Sequence, residues 1–165
     1  WAEALLESVL ASSRRLVLDA DALNLLARRP AARARCVLTP HPGEAARLLE
    51  VSAAAVQGDR IAAVHALQRR YGGTVVLKGS GTLVSAAHGA PWLCVRGNPG
   101  MATAGMGDVL SGIVAGLMAQ GLDGEMAALA AVDVHAAAAD VAAAGGERGL
   151  LASDLFEELR PWLNP

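Results

Sequence analysis

RLVLDADALNLLARRPAARARCVLTPHPGEAARLL, residues 15–49, carries the alternation on which the fold turns. Its apolar runs, Arg15–Asp19 (RLVLD) and Arg35–Thr39 (RCVLT), are short, rich in Leu and Val, and bounded by charged or turn residues. That is the pattern of strands buried on both faces. Each run leads into a segment with apolar residues three and four apart, Ala22–Arg29 and Glu44–Leu49, the spacing of one helix face. A third helical pattern, Asp59–Tyr71, precedes a third apolar run, Thr74–Lys78 (TVVLK). Strand, helix, strand, helix is the order of an α/β domain with a parallel sheet, because parallel neighbours need a crossover long enough to hold a helix.

Working outward, Trp1–Ala11 reads as a helix, and the chain opens at Trp1 rather than at a Met, which suggests a fragment. Downstream the period changes. Thr82–Ala86 and Trp92–Val95 flank His88, Gly89, Ala90 and Pro91, which predicts an antiparallel hairpin at the sheet edge. Arg96–Gly107 (RGNPGMATAGMG) holds four glycines and a proline. Three helices are predicted after it: Asp108–Gln120 with Gly121 as its stop, Leu122–Ala144, and Asp154–Trp162 capped by Ser153.

The 165 residues suit one domain with a substantial core. At 53% hydrophobic residues the chain can offset its ordering entropy, so disorder is excluded. Net charge −2 and only five aromatic residues argue against a nucleic-acid partner, which would want a basic footprint and stacking platforms. The longest apolar stretch, Ala127–Ala144, is broken by Asp133, His135 and Asp140; it reads as a buried helix rather than a membrane span. Cys36 and Cys94 show neither zinc nor disulfide spacing, and a reducing, cytoplasmic setting is expected.

Four motifs could carry chemistry. Gly105-Met106-Gly107-Asp108 stands where a loop enters a helix, and backbone N–H groups there suit an anion such as phosphate. Asp108 has two readings, a simple N-cap, which is the commoner use of such a residue, or a general base beside a phosphoryl-transfer site. Lys78-Gly79-Ser80-Gly81-Thr82 follows the third strand, where it is either a hairpin turn or a nucleotide-holding loop. It is not a Walker loop. Thr39-Pro40-His41-Pro42-Gly43-Glu44 fixes His41 above the sheet, though a lone loop histidine is more often plain surface. In Asp19–Asn24 (DADALN), Asp21 or a neighbour would cap the next helix. His135 reads as a packed or half-exposed histidine, and Gly112 with Gly116 as close helix packing. In a doubly wound sheet the four motifs converge on one edge.

DADALN (19–24), LTPHPGE (38–44), VLKGSGT (76–82) and GNPGMATAGMGDVLSG (97–112), in this order, resemble the ADP/ATP-dependent NAD(P)H-hydrate dehydratases of the ribokinase-like superfamily. The resemblance implies a three-layer α/β/α fold with a mostly parallel sheet. It makes residues 1–165 a single, partial domain, since family domains are longer at the N-terminus. It implies a hydro-lyase that repairs hydrated nicotinamide cofactors: ADP or ATP phosphorylates the C6 hydroxyl of (6S)-NADHX or NADPHX, and phosphate then leaves.

By resemblance, Asp108 is the base and also contacts the substrate, while Gly105, Met106 and Gly107 form the anion hole. Lys78, Gly79, Ser80, Gly81, Thr82 and Gly107 hold the adenine nucleotide, and His41 and Asn98 line the hydrated-nicotinamide site. Mg²⁺ accompanies the phosphates without an all-protein metal site. A homo-oligomer and an epimerase, fused or separate, are the implied partners. Met106 stands where the family usually has a small hydroxylated residue. A ribokinase-like vitamin or sugar kinase, or a catalytically idle nucleotide-binding fragment, is the alternative.

Overall fold

The structure, a computed structural model, describes residues 1–164. Five strands, β1 (Leu16–Leu18), β2 (Cys36–Leu38), β3 (Thr74–Leu77), β4 (Leu83–Ser85) and β5 (Trp92–Leu93), form one sheet in chain order. β1, β2 and β3 are parallel, whereas β4 and β5 run antiparallel to their neighbours, as the hairpin predicts. The helices are α1 (Ala2–Ala11), α2 (Ala20–Arg28), α3 (Pro42–Leu49), α4 (Ala53–Gly58), α5 (Arg60–Tyr71), α6 (Met106–Ala119), α7 (Gly124–Ala142) and α8 (Leu155–Leu163).

The period of two along each strand divides the core into two layers. Leu38, Val75, Leu77 and Leu83 point toward α2, α3 and α5, where Leu23, Leu48, Leu67 and Tyr71 are fully buried. Val37, Val76 and Val84 point the other way, onto α6, α7 and α8. Register agrees: Leu38 pairs with Val75 on one face, and Val76 with Val84 on the other. Because both faces are covered from β1 to β4, those strands are almost wholly apolar rather than alternating, while β5 at the edge is exposed. α7 is long and apolar enough to cross a membrane, but half of that stretch is buried. Its alanines, Ala127, Ala128, Ala131 and Ala136–Ala139, pack in the core, as the reading of a buried helix expects.

Four details depart from the sequence reading: the first is that Ser153 does not cap the last helix, because a turn over Ala152–Asp154 leads into α8, which starts after Asp154 with no side-chain cap. α4 was not predicted; Ser52 caps it, accepting from Ala55 N–H. α6 starts at Met106, two residues before the predicted Asp108, because Gly105 turns the chain at φ 88°. A residue with a Cβ would resist that conformation. Asp108 is therefore the third helical residue and not the N-cap. Finally, Gly112 and Gly116 do not mediate close packing: both are exposed, and a Cβ on either would meet nothing within 4 Å.

Candidate active site

The parallel strands β1, β2 and β3 end on the same side of the sheet, so the residues that follow them meet there. After β1, Asp19 caps α2 by accepting from Ala20 N–H at 2.9 Å. Its Oδ1 also receives Lys78 Nζ, from the end of β3, at 2.9 Å, and its Oδ2 receives Ser111 Oγ of α6 at 2.7 Å. Buried Glu44 stands 4.0 Å from the same ammonium. Burial alone would raise the Asp19 carboxyl, but hydrogen bonds from Lys78 and Ser111, the Lys78 charge and a contact with Thr39 hold it below its ordinary value. Asp19 is thus an anion paired to Lys78 as well as a helix cap. Ala20, beside it, takes φ 46°, a left-handed conformation costing roughly 1–2 kcal/mol for a residue with a Cβ.

The first turn of α6 abuts this pair. A Cβ at Gly107 would stand 3.3 Å from Lys78 Nζ and 3.7 Å from Asp19 Oδ2. No side chain caps the helix, so its first N–H groups lack the intrahelical partners that later ones have. The Met106 side chain turns inward to the core, 5% exposed, so its length does not crowd the turn and its backbone stays there. Across the gap, no protein acceptor among the described residues takes the N–H groups of Gly79, Ser80 and Gly81. Lys78, the loop to Thr82 and Gly107 line one cavity of about 640 Å³, within the size range of small-molecule sites. Amides from a loop, amides from a helix start and one ammonium make a cradle for phosphate.

His41 lines the same cavity, and half of its side chain is exposed. Its Nδ1 accepts from Gly43 N–H at 2.9 Å, while Glu44 Oε2 accepts from His41 N–H at 2.8 Å. This capping box starts α3 and fixes the ring at the rim. Asn98 also lines the cavity, with its amide engaged: Nδ2 donates to Ala139 O and Asp140 Oδ1, and Oδ1 accepts from Gly100 N–H. It clamps the glycine-rich loop to α7.

Asp108 is exposed and does not face this cavity. It borders a second, apolar groove with Val109, Gly112 and Phe156. Neighbouring helical residues point about 100° apart, so Gly107 and Asp108 serve different sides of one turn. Asp19, Ser111 and His135 were not read as site residues. Asp19 had a signal, a carboxylate directly after a strand, and Ser111 lies one turn beyond Asp108. His135 had none. It is buried in α7 and lines the cavity; burial lowers its pKa to about 4, against a smaller opposing effect of the Met106 backbone.

Helices on both faces of a sheet whose parallel strands end at one cavity place the chain among three-layer α/β/α proteins, and its likeness to solved structures makes the fold ribokinase-like. A ribokinase-like superfamily protein from Enterococcus faecalis superposes with TM-score 0.83 at 30% identity, over 99% of this chain and 60% of its own. The ADP/ATP-dependent NAD(P)H-hydrate dehydratase from Bacillus subtilis gives TM-score 0.87 at 31% identity, over 96% of this chain and 58% of its own. The bifunctional NAD(P)H-hydrate repair enzyme Nnr of Coxiella burnetii is 56% identical over the whole of this chain, which spans 34% of that protein. The sequence model of the Carb_kinase family, described as NAD(P)H-hydrate dehydratase, matches residues 1–161, and the chain belongs to this family.

Proposed function

We propose that the chain carries the phosphoryl-transfer part of an ADP- or ATP-dependent dehydratase acting on (6S)-NADHX or NADPHX. The observation that carries this reading is the meeting of Lys78, Asp19 and Gly107 opposite the N–H groups of Gly79–Gly81. Lys78 and the loop to Thr82 hold the nucleotide. The N–H groups of Met106 and Gly107, with Gly105 setting the turn, stabilise charge on the transferring phosphoryl group. Asp108, exposed in the same first turn, accepts the proton of a C6 hydroxyl that meets the phosphoryl group at the start of α6. The hydroxyl oxygen then bonds to the terminal phosphorus as the bond to the rest of the nucleotide breaks. Hydroxide is a poor leaving group and phosphate a good one, so the C6–O bond breaks with departure of phosphate, and loss of a proton from the neighbouring C5 to solvent restores the ring double bond of the dihydronicotinamide. His41, oriented by its capping box, and Asn98, holding its loop, line the substrate side.

Mg²⁺ would accompany the nucleotide phosphates and neutralise part of their charge rather than sit on protein ligands. Among the described residues no three His, Cys, Asp or Glu side chains converge, and both Asp19 oxygens already accept hydrogen bonds. The buried free thiols of Cys36 and Cys94 support a reducing, cytoplasmic setting. The test is the full-length protein with NADHX, Mg²⁺ and ADP or ATP, followed by the near-ultraviolet absorbance of NADH. Recovery of that absorbance with release of phosphate is expected. A stable phosphorylated alcohol would favour a kinase, and absence of both products would sink the proposal.

A further inference from the structure

Arg60 opens α5, outside every motif, yet its guanidinium lies beneath the Lys78–Thr82 loop. Nη2 donates to the carbonyls of Leu77 at 3.1 Å and Gly81 at 3.0 Å. Both Nη atoms stand 3.5 Å from the Lys78 carbonyl, and Nη1 is held by Gln57 Oε1 at 3.0 Å. Thr82 Oγ1 donates to the Gly79 carbonyl at 3.1 Å. One fork and one hydroxyl thus gather the carbonyls of Leu77, Lys78, Gly79 and Gly81. A loop whose carbonyls are drawn inward turns its amides outward, which is how backbone makes an anion nest. Gly79 completes the fit: at φ 140° it has no Cβ, and one placed there would stand 2.9 Å from Arg60 Nη1.

We propose that Arg60 is a positioning residue of the nucleotide site, a guanidinium that collects the Leu77, Lys78 and Gly81 carbonyls, aims the Gly79–Gly81 amides at a nucleotide phosphate and places positive charge behind them. This rests on the reading that the loop holds ADP or ATP. A residue that only fastened α5 to β3 would lower stability when removed without acting selectively on the nucleotide. Lysine cannot replace it fully, because one ammonium does not span three carbonyls in a plane.

The experiment compares wild type, Arg60→Ala and Arg60→Lys in the full-length protein. It measures ADP binding by calorimetry, KM for ADP and for NADHX, kcat, and melting temperature, with and without guanidinium at sub-denaturing concentration. In Arg60→Ala the KM for ADP should rise about tenfold to a hundredfold, the scale of a lost charge-assisted contact. KM for NADHX should hold and kcat be largely retained. Added guanidinium should recover ADP affinity, and Arg60→Lys should fall between the two. An unchanged ADP affinity in Arg60→Ala, or losses in ADP KM, NADHX KM and kcat that all follow melting temperature, would overturn the inference. If Arg60→Ala does not fold, Arg60→Lys decides, and wild-type ADP affinity there overturns it. A wild-type protein that binds neither ADP nor ATP refutes the nucleotide reading itself; wild-type binding with an indifferent Arg60→Ala refutes the role of Arg60 alone.

Discussion

Two stretches of backbone face each other across the cavity, and they are held in opposite ways. The first turn of α6 belongs to a regular helix: Gly105 sets its entry, Met106 anchors it in the core, and α7 with His135 packs below. The Lys78–Thr82 loop has no regular hydrogen bonding of its own and depends on side chains, chiefly Arg60 from outside it and Thr82 within it. A helix start is a prefabricated anion site, whereas a loop must have its carbonyls satisfied before its amides can be offered. The turn is therefore hard to disturb except in its chemistry, and the loop is sensitive at residues that never touch the nucleotide.

Asp108→Asn attacks the chemistry of the turn and leaves its backbone in place. Turnover should fall roughly 10²-fold or more, the scale of a lost general base, while nucleotide affinity stays near normal; steady-state kinetics beside calorimetry separates the two. His135 tests the support beneath the turn. Its folded pKa is about 4 against the ordinary 6.5, so between those values the unfolded chain binds the extra proton and stability falls as pH falls. The full loss is about 3 kcal/mol. Melting curves from neutral pH down to about pH 4 should show a shallower decline in His135→Gln. Asp19 acts in a lower window: its depressed pKa stabilises the fold above the ordinary 3.8, and that contribution is lost only as pH drops below it.

On the loop side, Lys78→Ala should raise the KM for ADP about tenfold or more, from one lost charge-assisted contact, and also lower the melting temperature. Asp19 would be left half-buried without its cation. The smallest effect is expected on the outer face of α6. Gly112→Ala adds a Cβ that meets nothing, so it should stabilise the helix by about 0.5–1 kcal/mol in thermal melts. A loss instead would show that this face is covered in the protein.

Much of the architecture was legible. The strand runs at 15–19, 35–39 and 74–78, the hairpin and the helices after Gly105 came from hydrophobic period and turn residues, which act locally. Local rules failed where a residue's partner is distant. Asp19 read as a cap because capping needs only the next N–H group; its pairing with Lys78, 59 residues on, needs the parallel register of β1 to β3. Gly112 and Gly116 read as packing contacts because spacing alone cannot say which helix face meets a neighbour. Asn98 was placed in the site by resemblance; the structure adds that its amide is engaged in holding the loop to α7.

By itself, then, the sequence determined the fold class, the order of the elements and the motifs around His41, Lys78 and Gly107 that reach the cavity, because hydrophobic period, turn chemistry and strand-then-loop placement are written within a few residues. Tertiary structure alone decided that Lys78 is paired with Asp19, that Gly107 lines the cavity while Asp108 borders the groove beside it, and that Arg60 underlies the loop. Each of those depends on the direction in which a side chain or a peptide group points, and direction is set by packing between elements far apart in the chain.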